Sequence, residues 1–165
     1  MNNDNRESLR SAEDLKLHHL GFVVASIQQC SDSFAMSLGA TWDGNIIFDP
    51  VQKARVTFLE GRNSADPLIE LVEPADSGSP VTRFLERGGG LHHLCYEVDD
   101  LESHLAFCKS VRNIILRPPV PAVAFGGRRI AWVLGRKRLL MEFLERRTVS
   151  PAGDLGGIKE ITYSK

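Results

Sequence analysis

The sequence lacks both a strong charge imbalance and a long apolar run. Its 165 residues include 20 basic and 21 acidic side chains, which leave a formal net charge of −1. This balance provides no broad positive surface for nucleic acid or an anionic membrane, so neither is expected as a partner. No stretch approaches the roughly 20 apolar residues that span a bilayer. The first residues are polar rather than basic and then apolar, as in a signal segment, and we therefore expect a cytoplasmic protein.

Cysteine is also scarce. Cys30, Cys95 and Cys108 are odd in number and lack the short paired spacings of zinc ribbons or disulfide frameworks. We therefore expect all three to be reduced and buried.

What the chain does have is enough apolar side chains for one core. Its length and its 42% hydrophobic content are typical of a single globular domain. Residues 1–14 and 148–165 lack sustained apolar periodicity and are predicted to be flanking tails, although an edge strand near the C-terminus is a second interpretation. The domain is predicted to span residues 15–147, with half-modules at about 15–75 and 89–147.

An internal repeat is the main feature of this domain. The tetrapeptide Leu17–Leu20 (Leu-His-His-Leu) recurs 74 positions later as Leu91–Leu94. A second pair, Leu68–Glu73 and Leu140–Glu145, recurs at an offset of 72. Self-similarity of this kind indicates a repeated structural unit. Each half begins with a strand that carries histidines and ends with a strand that carries a glutamate.

The segments between these strands are doubled as well. Ser26 is a predicted N-cap of a helix that stops at Gly39, and Asp99 or Asp100 caps a helix at the matching place in the second half. Further strands are predicted at 45–48 and 54–59 in the first half, and at 113–116 and 129–134 in the second. The predicted order is β-α-β-β-β, twice. Between the halves, Ser79-Pro80 is predicted to open a short helix that a run of three glycines ends.

Strand alternation selects one histidine from each pair. Neighbouring residues on a regular strand face opposite sides, so His18 and His92 are predicted to share the large apolar faces beneath the helices. The opposite face then carries two histidines and two glutamates, which are His19, His93, Glu70 and Glu142.

These four groups form a plausible ligand set for one divalent metal ion. Neutral imidazoles and carboxylates provide a mixed nitrogen and oxygen shell that leaves water-filled positions for a substrate. A single strand histidine is more often a core or surface residue. The doubled pattern favours metal binding instead.

The same residues resemble the vicinal oxygen chelate superfamily, which includes glyoxalase I, extradiol dioxygenases, antibiotic-resistance proteins and methylmalonyl-CoA epimerases. The resemblance covers about residues 17–145. The middle stretch is most similar to the epimerase branch. It runs from Ile69-Glu70-Leu71-Val72-Glu73-Pro74 through Gly88-Gly89-Gly90-Leu91-His92-His93 to Val98-Asp99-Asp100.

This resemblance implies an α+β fold in which paired βαβββ modules form an open curved mixed sheet around a metal site, often in a homodimer. It places the metal ligands at His19, Glu70, His93 and Glu142. The implied cofactor is a cobalt, manganese, nickel, zinc or magnesium ion.

The resemblance further implies an epimerase that acts on a 2-substituted acyl-CoA, such as methylmalonyl-CoA, by removing the α-proton. Glu142 is the first candidate base, and Glu70 is the candidate acid on the opposite face. Val56 occupies the position where some epimerases carry a second acid. The loop at 134–138 also departs from the His-Pro-Lys loop that is frequent in the family.

Other functions fit the same pattern. A glyoxalase I-like lyase or isomerase would use the same ligands, and a non-catalytic protein that binds acyl-CoA or another small molecule can share the fold. An iron dioxygenase would need only three of the four ligands. Basic residues near the last strands are candidates for binding the phosphates of a coenzyme, or else a solvated basic hairpin. They are Arg128 and Arg129, with Arg136, Lys137 and Arg138 beyond them.

Overall fold

The computed structural model describes residues 15–147, which form nine strands and three α-helices. The strands are β1 (Lys16–Val23), β2 (Thr41–Trp42), β3 (Ile47–Asp49), β4 (Ala54–Glu60), β5 (Leu68–Pro74), β6 (Gly90–Val98), β7 (Ile114–Pro121), β8 (Arg129–Leu134) and β9 (Leu140–Glu145). The helices are α1 (Ile27–Leu38), α2 (Thr82–Leu85) and α3 (Leu101–Ser110), and short 3-10 turns lie at Val123–Phe125 and Arg136–Arg138. The two predicted tails, with the edge strand considered for the second, lie outside the described residues.

All nine strands belong to one open mixed sheet. The order is β2-β4-β5-β1-β6-β9-β8-β7, and β3 also pairs with β4. Within each half the first strand runs parallel to the last, as β1 does to β5 and β6 to β9. The antiparallel pairing of β1 with β6 joins the halves at the centre of the sheet. This arrangement confirms the predicted doubled α+β architecture.

Helix α1 covers one face of the first half. The Ser26 side chain accepts a hydrogen bond from the backbone N–H of Gln29, and Gly39 ends the helix in the left-handed conformation with φ of 65°. Such an N-cap stabilises a helix by about 1 kcal/mol. Phe22 and Leu71 from the strands pack in the cluster that also contains Phe34 of the helix. Leu71 is fully buried, and burial of such a side chain contributes about 1.5–3 kcal/mol.

Helix α3 repeats this packing in the second half. Asp100, one of the two predicted N-caps, accepts a hydrogen bond from the backbone N–H of Ser103. Leu101 and Leu105 of the helix pack with Phe143 of β9. The apolar faces that the strand patterns predict are therefore buried beneath the two helices, and the other face of the sheet remains for a site.

Three local details differ from the prediction. The linker helix begins at Thr82 rather than at Ser79-Pro80, although the following glycines do end it. The strand predicted at 45–48 is Ile47–Asp49, and the strand predicted at 113–116 runs on to Pro121 with irregular pairing. None of the helices in residues 15–147 is long and apolar enough to cross a membrane.

The three cysteines form no disulfide. Cys95 and Cys108 are buried as predicted, whereas Cys30 is only half-buried at the edge of the α1 packing.

Candidate metal centre and its cavity

Four ligand-type side chains converge on the face of the sheet opposite α1 and α3, two from each half. Gly21 of β1 pairs with Glu70 of β5 on one side and with His93 of β6 on the other. Cys95 of β6 occupies the equivalent place in the repeat, and it pairs with His19 of β1 and with Glu142 of β9. Directly paired residues of neighbouring strands point to the same face. The structure therefore brings together all four predicted residues, called here the His-Glu cluster: His19, Glu70, His93 and Glu142.

The Nε2 atoms of the two histidines of the His-Glu cluster each lie 3.2–3.8 Å from a carboxylate oxygen of Glu70 and of Glu142. His19 Nε2 is 3.1 Å from His93 Nε2, 3.4 Å from Glu70 Oε2 and 3.2 Å from Glu142 Oε2. His93 Nε2 is 3.3 Å from Glu70 Oε2 and 3.8 Å from Glu142 Oε2. Metal–ligand bonds of about 2.0–2.2 Å separate two ligands of one ion by about 3.0–3.5 Å in octahedral or tetrahedral geometry. Four of the five spacings fall in this range, and the 3.8 Å between His93 and Glu142 is wider. The group of His19, Glu70 and His93 is therefore the part of the cluster that suits a divalent cation best.

Burial and hydrogen bonding agree with this assignment of the cluster. All four side chains are buried, and His19 is 0% exposed. Glu142 Oε2 is buried without a well-formed hydrogen bond partner in the described part of the chain. A buried carboxylate oxygen without such a partner is costly unless a cation or proton compensates it. The donor set thus fits a divalent metal ion.

The electrostatics show what the cluster does without a cation. Burial alone would lower the pKa of His19, but the carboxylates of Glu70 and Glu142 outweigh it and raise that pKa to about 10. Burial would raise the pKa of Glu70, but His19 and His93 hold it well below its usual range. Positive charge is therefore favoured at the centre of the cluster. A bound metal would supply it and displace the imidazole proton.

The prediction that His18 and His92 lie beneath the helices is wrong. The β1–β6 register shifts between Leu17 and His19, and again opposite His92, so both strands bulge at these histidines. A bulge inserts an extra residue and redirects its side chain, which breaks the alternation on which the prediction depended. His18 lies against Phe125, at 5.5 Å between ring centroids, and His92 lines the same cavity as the cluster.

Each bulge histidine contacts the ligand-type histidine that follows it. His18 Nδ1 is 2.9 Å from His19 Nδ1, and His92 Nδ1 is 3.1 Å from His93 Nδ1. Burial, assisted by the neighbouring His19, lowers the pKa of His18 to about 4, and burial with His93 does the same for His92. The Nδ1 atom of a neutral bulge imidazole can accept a hydrogen bond from the Nδ1–H of the cluster histidine, which leaves both cluster Nε2 atoms available to a metal.

A mostly apolar cavity of about 320 Å³ opens beside the cluster. Its wall includes Val56, Val72, Phe125, Ile130 and Trp132, together with Glu70, His93 and Glu142. Val56 therefore lines the cavity at the position where the family resemblance places a second acid, and it supplies none. A small organic group can enter this cavity and meet the cluster.

The structure does not bring Arg128 and Arg129 to the cavity wall. Arg128 donates a hydrogen bond of 2.9 Å to Glu97, and Arg129 forms ion pairs with Glu102 and Glu145. These carboxylates already neutralise both guanidinium groups.

Sequence reasoning missed three polar residues of the cavity. Asp49 lies in the wall and accepts hydrogen bonds from the backbone N–H groups of neighbouring turns. Gln52 and Arg117 also line the cavity and contact each other, although 65 positions separate them. No local motif marks the pair, because the contact forms only when the two halves fold together.

Comparison with known proteins places this architecture in a family. Residues 18–132 match the Glyoxalase/Bleomycin resistance protein/Dioxygenase superfamily. The chain belongs to this superfamily. An ethylmalonyl-CoA/methylmalonyl-CoA epimerase of Cereibacter sphaeroides is 34% identical over 88 residues, which cover 52% of this chain and 63% of that protein. The match thus spans less than two thirds of the length of that superfamily relative.

Solved structures share the fold of this chain. A hypothetical protein from Bacillus halodurans aligns with a TM-score of 0.71 and 29% identity, over 82% of this chain and 96% of that one. Methylmalonyl-CoA epimerase from Mycobacterium tuberculosis aligns with a TM-score of 0.64 and 26% identity, over 80% of this chain and 88% of that one. The superfamily fold is therefore shared, and similarity to epimerases is modest.

Proposed function

We propose that the protein is a metal-dependent epimerase of a 2-substituted acyl-CoA, of the methylmalonyl-CoA type, which acts by removing the α-proton. The observation that carries this proposal is the convergence of the His-Glu cluster at the wall of an apolar cavity. Epimerases among the relatives of similar fold support the choice of chemistry. The small cavity is compatible with the acyl end of such a substrate.

In this proposal the four members of the His-Glu cluster hold one divalent cobalt, manganese, nickel, zinc or magnesium ion. The ion would supply Lewis acidity, which disperses the negative charge that develops on the thioester oxygen as the α-proton leaves. The protein residues supply the remaining functions. The apolar wall excludes water from the reacting carbon, and the two histidines fix the position of the carboxylates.

Glu142 is the proposed base. Its carboxylate lies in the wall of the cavity that would receive the acyl group, with Oε2 buried 3.2 Å from His19 Nε2. Glu70 belongs to the other half and approaches the two histidines from β5. Because Val56 supplies no acid, Glu70 is the proposed proton donor on the opposite face of the substrate carbon.

Deuterium incorporation from heavy water tests this proposal. Protein loaded with cobalt or manganese should exchange the α-proton of methylmalonyl-CoA and interconvert its two C2 epimers. This exchange detects removal of the α-proton even when epimerisation is slow. Glu142→Gln should lose most exchange, and its metal content must be measured in parallel so that lost chemistry is distinguished from lost metal.

Two variants sharpen the test. Glu70→Gln should retain metal but allow exchange from only one epimer if Glu70 serves the opposite face. Glu60→Gln is the matched control, because Glu60 is an exposed glutamate at the end of β4 and lies outside the cavity wall. It should leave metal content and exchange unchanged. Metal-loaded protein that exchanges neither epimer would refute the epimerase proposal for this substrate and favour glyoxalase-like chemistry or ligand binding without turnover.

The coenzyme end of the substrate is less constrained. Arg128 and Arg129 remain predicted phosphate contacts, although both already pair with carboxylates. Binding of phosphates there would require these pairs to rearrange.

A further inference from the structure

A polar corner interrupts the apolar wall of the cavity and joins the two halves of the chain. Arg117 lies on β7 of the second half, and Gln52 lies in the turn between β3 and β4 of the first. Arg117 Nη1 donates a hydrogen bond of 2.7 Å to Gln52 Oε1, and Nη2 lies 3.4 Å from the carbonyl oxygen of Val51. Both side chains line the cavity that contains Glu70, His93 and Glu142.

The positive charge of Arg117 has no carboxylate partner within residues 15–147. Three other arginines of this range, Arg55, Arg128 and Arg129, each form an ion pair with a glutamate. Asp49 lines the same cavity, but its two oxygens accept hydrogen bonds from the backbone N–H groups of residues 51, 52 and 123. Asp49 thus braces the turns and does not neutralise Arg117.

Gln52 adds an unsatisfied donor to this corner. The hydrogen bond from Arg117 identifies its oxygen, so the remaining atom is the amide nitrogen Nε2. This nitrogen is buried and has no hydrogen bond acceptor in the described part of the chain. A buried donor without a partner costs about 1–3 kcal/mol, and a small rotation of the amide toward the cavity would let an anionic ligand accept its hydrogen bond. The corner therefore has a cation and an amide donor in need of an acceptor.

We propose that Arg117 and Gln52 form a carboxylate-binding subsite that selects acyl thioesters with a carboxylate at the 2-position. The proposal deepens the proposed function and rests on it for the identity of the substrate. A guanidinium group binds a carboxylate through two parallel hydrogen bonds, a geometry that a simple acyl group cannot use. The subsite would thus distinguish methylmalonyl-CoA from propionyl-CoA, which lacks the carboxylate.

Binding of the free dicarboxylate malonate tests the subsite without any turnover. In calorimetry with cobalt-loaded protein, Arg117→Gln should weaken malonate binding about tenfold or more, as expected for loss of a charge-assisted contact. Arg117→Lys retains the charge but not the paired donors. Its affinity for malonate should therefore lie between that of the wild type and that of Arg117→Gln. Propionate, with one carboxylate to share between metal and arginine, should lose much less affinity in Arg117→Gln.

Arg62→Gln is the matched control, because Arg62 is exposed, hydrogen-bonded to the Gly39 carbonyl and outside the cavity wall. It should bind malonate as the wild type does. Equal malonate affinity in wild type and in folded, metal-loaded Arg117→Gln would overturn the subsite, and so would wild-type protein that does not bind malonate.

Turnover separates this proposal from the function on which it rests. If α-proton exchange occurs, Arg117→Gln should raise KM for methylmalonyl-CoA while leaving exchange of propionyl-CoA nearly unchanged. Equal effects on both substrates would overturn the subsite but not the epimerase. Arg117-dependent malonate binding without any exchange would retain the subsite and remove the epimerase.

Discussion

Alanine at position 21 should displace one ligand of the proposed metal without unfolding the chain. Gly21 lies directly opposite His93 in the β1–β6 pairing, and the imidazole ring packs over its α-carbon. A Cβ atom at this position would lie 2.0 Å from His93 Cε1 and 2.5 Å from Nε2. Real Cβ atoms essentially never approach a neighbour so closely. The ring must therefore move.

The size of that movement sets the expected effect. Ordinary contact begins at 3.4 Å, so the His93 ring or the strand beneath it must shift by about 1.4 Å. Trp132 lies 4.8 Å from the ring between centroids and limits its escape on one side. Metal sites tolerate only about 0.2 Å of error in ligand distance. The binding free energy of a structural metal ion is about 10–16 kcal/mol, or about 3 kcal/mol for each of four ligands. Loss of one ligand should therefore raise the Kd for the metal roughly 100-fold.

Competition between the protein and a chelator measures this Kd for cobalt. Gly135→Ala is the control, since its Cβ would come closest to the mobile end of Met141, at 3.0 Å, and would meet the Leu139 carbonyl oxygen at an ordinary 3.5 Å. It should bind cobalt as the wild type does, and both variants should unfold cooperatively in the absence of metal. Gly21→Ala that is folded and binds cobalt within threefold of wild type would refute the steric argument and the role of His93 as a ligand.

His18→Ala and His92→Ala should each weaken cobalt binding about 10- to 100-fold, as expected for residues that orient a ligand; unchanged affinity in both would mean that the Nδ1 contacts do not matter. In metal-free protein, Arg129 lowers the pKa of Glu145 from its usual 4.5. The ion pair therefore contributes its full stabilisation above pH 4.5, and this contribution is lost as the pH falls through the lowered pKa. Urea unfolding at neutral and strongly acidic pH should show a smaller acid loss in Arg129→Gln than in wild type, and equal losses would contradict the assignment. Sedimentation at micromolar concentration should give the mass of a homodimer, because an open sheet with exposed apolar side chains is commonly covered by a second copy; a monomeric mass would count against it.

The repeat was sufficient to predict the fold and the grouping of the site residues. Ser26, Gly39 and Asp100 end or begin helices as their types predict. Because the two halves repeat the same strand order, histidines at the start of each half and glutamates at the end were expected to meet, and they do. Local chemistry and the repeat were enough for these features.

Other features depended on tertiary structure. The bulges at His18 and His92 are irregularities of the β1–β6 pairing that strict alternation does not anticipate. The contact of Arg117 with Gln52 joins residues 65 positions apart, and no pattern in either segment predicts it. The need for glycine at position 21, against which the His93 ring packs, was missed too. Its place two residues after His19, which a small Cys95 matches in the second half, was the available signal.

The metal content of the purified protein tests the central claim most directly. Native mass spectrometry with elemental analysis should find about one divalent ion per chain in the wild type, because one His-Glu cluster forms when the two halves fold together. His19→Ala and His93→Ala should each lose it, whereas substitution of His104, which packs on Phe143 at the helical side, should not. Metal content that is unchanged in both His19→Ala and His93→Ala would contradict the proposed centre.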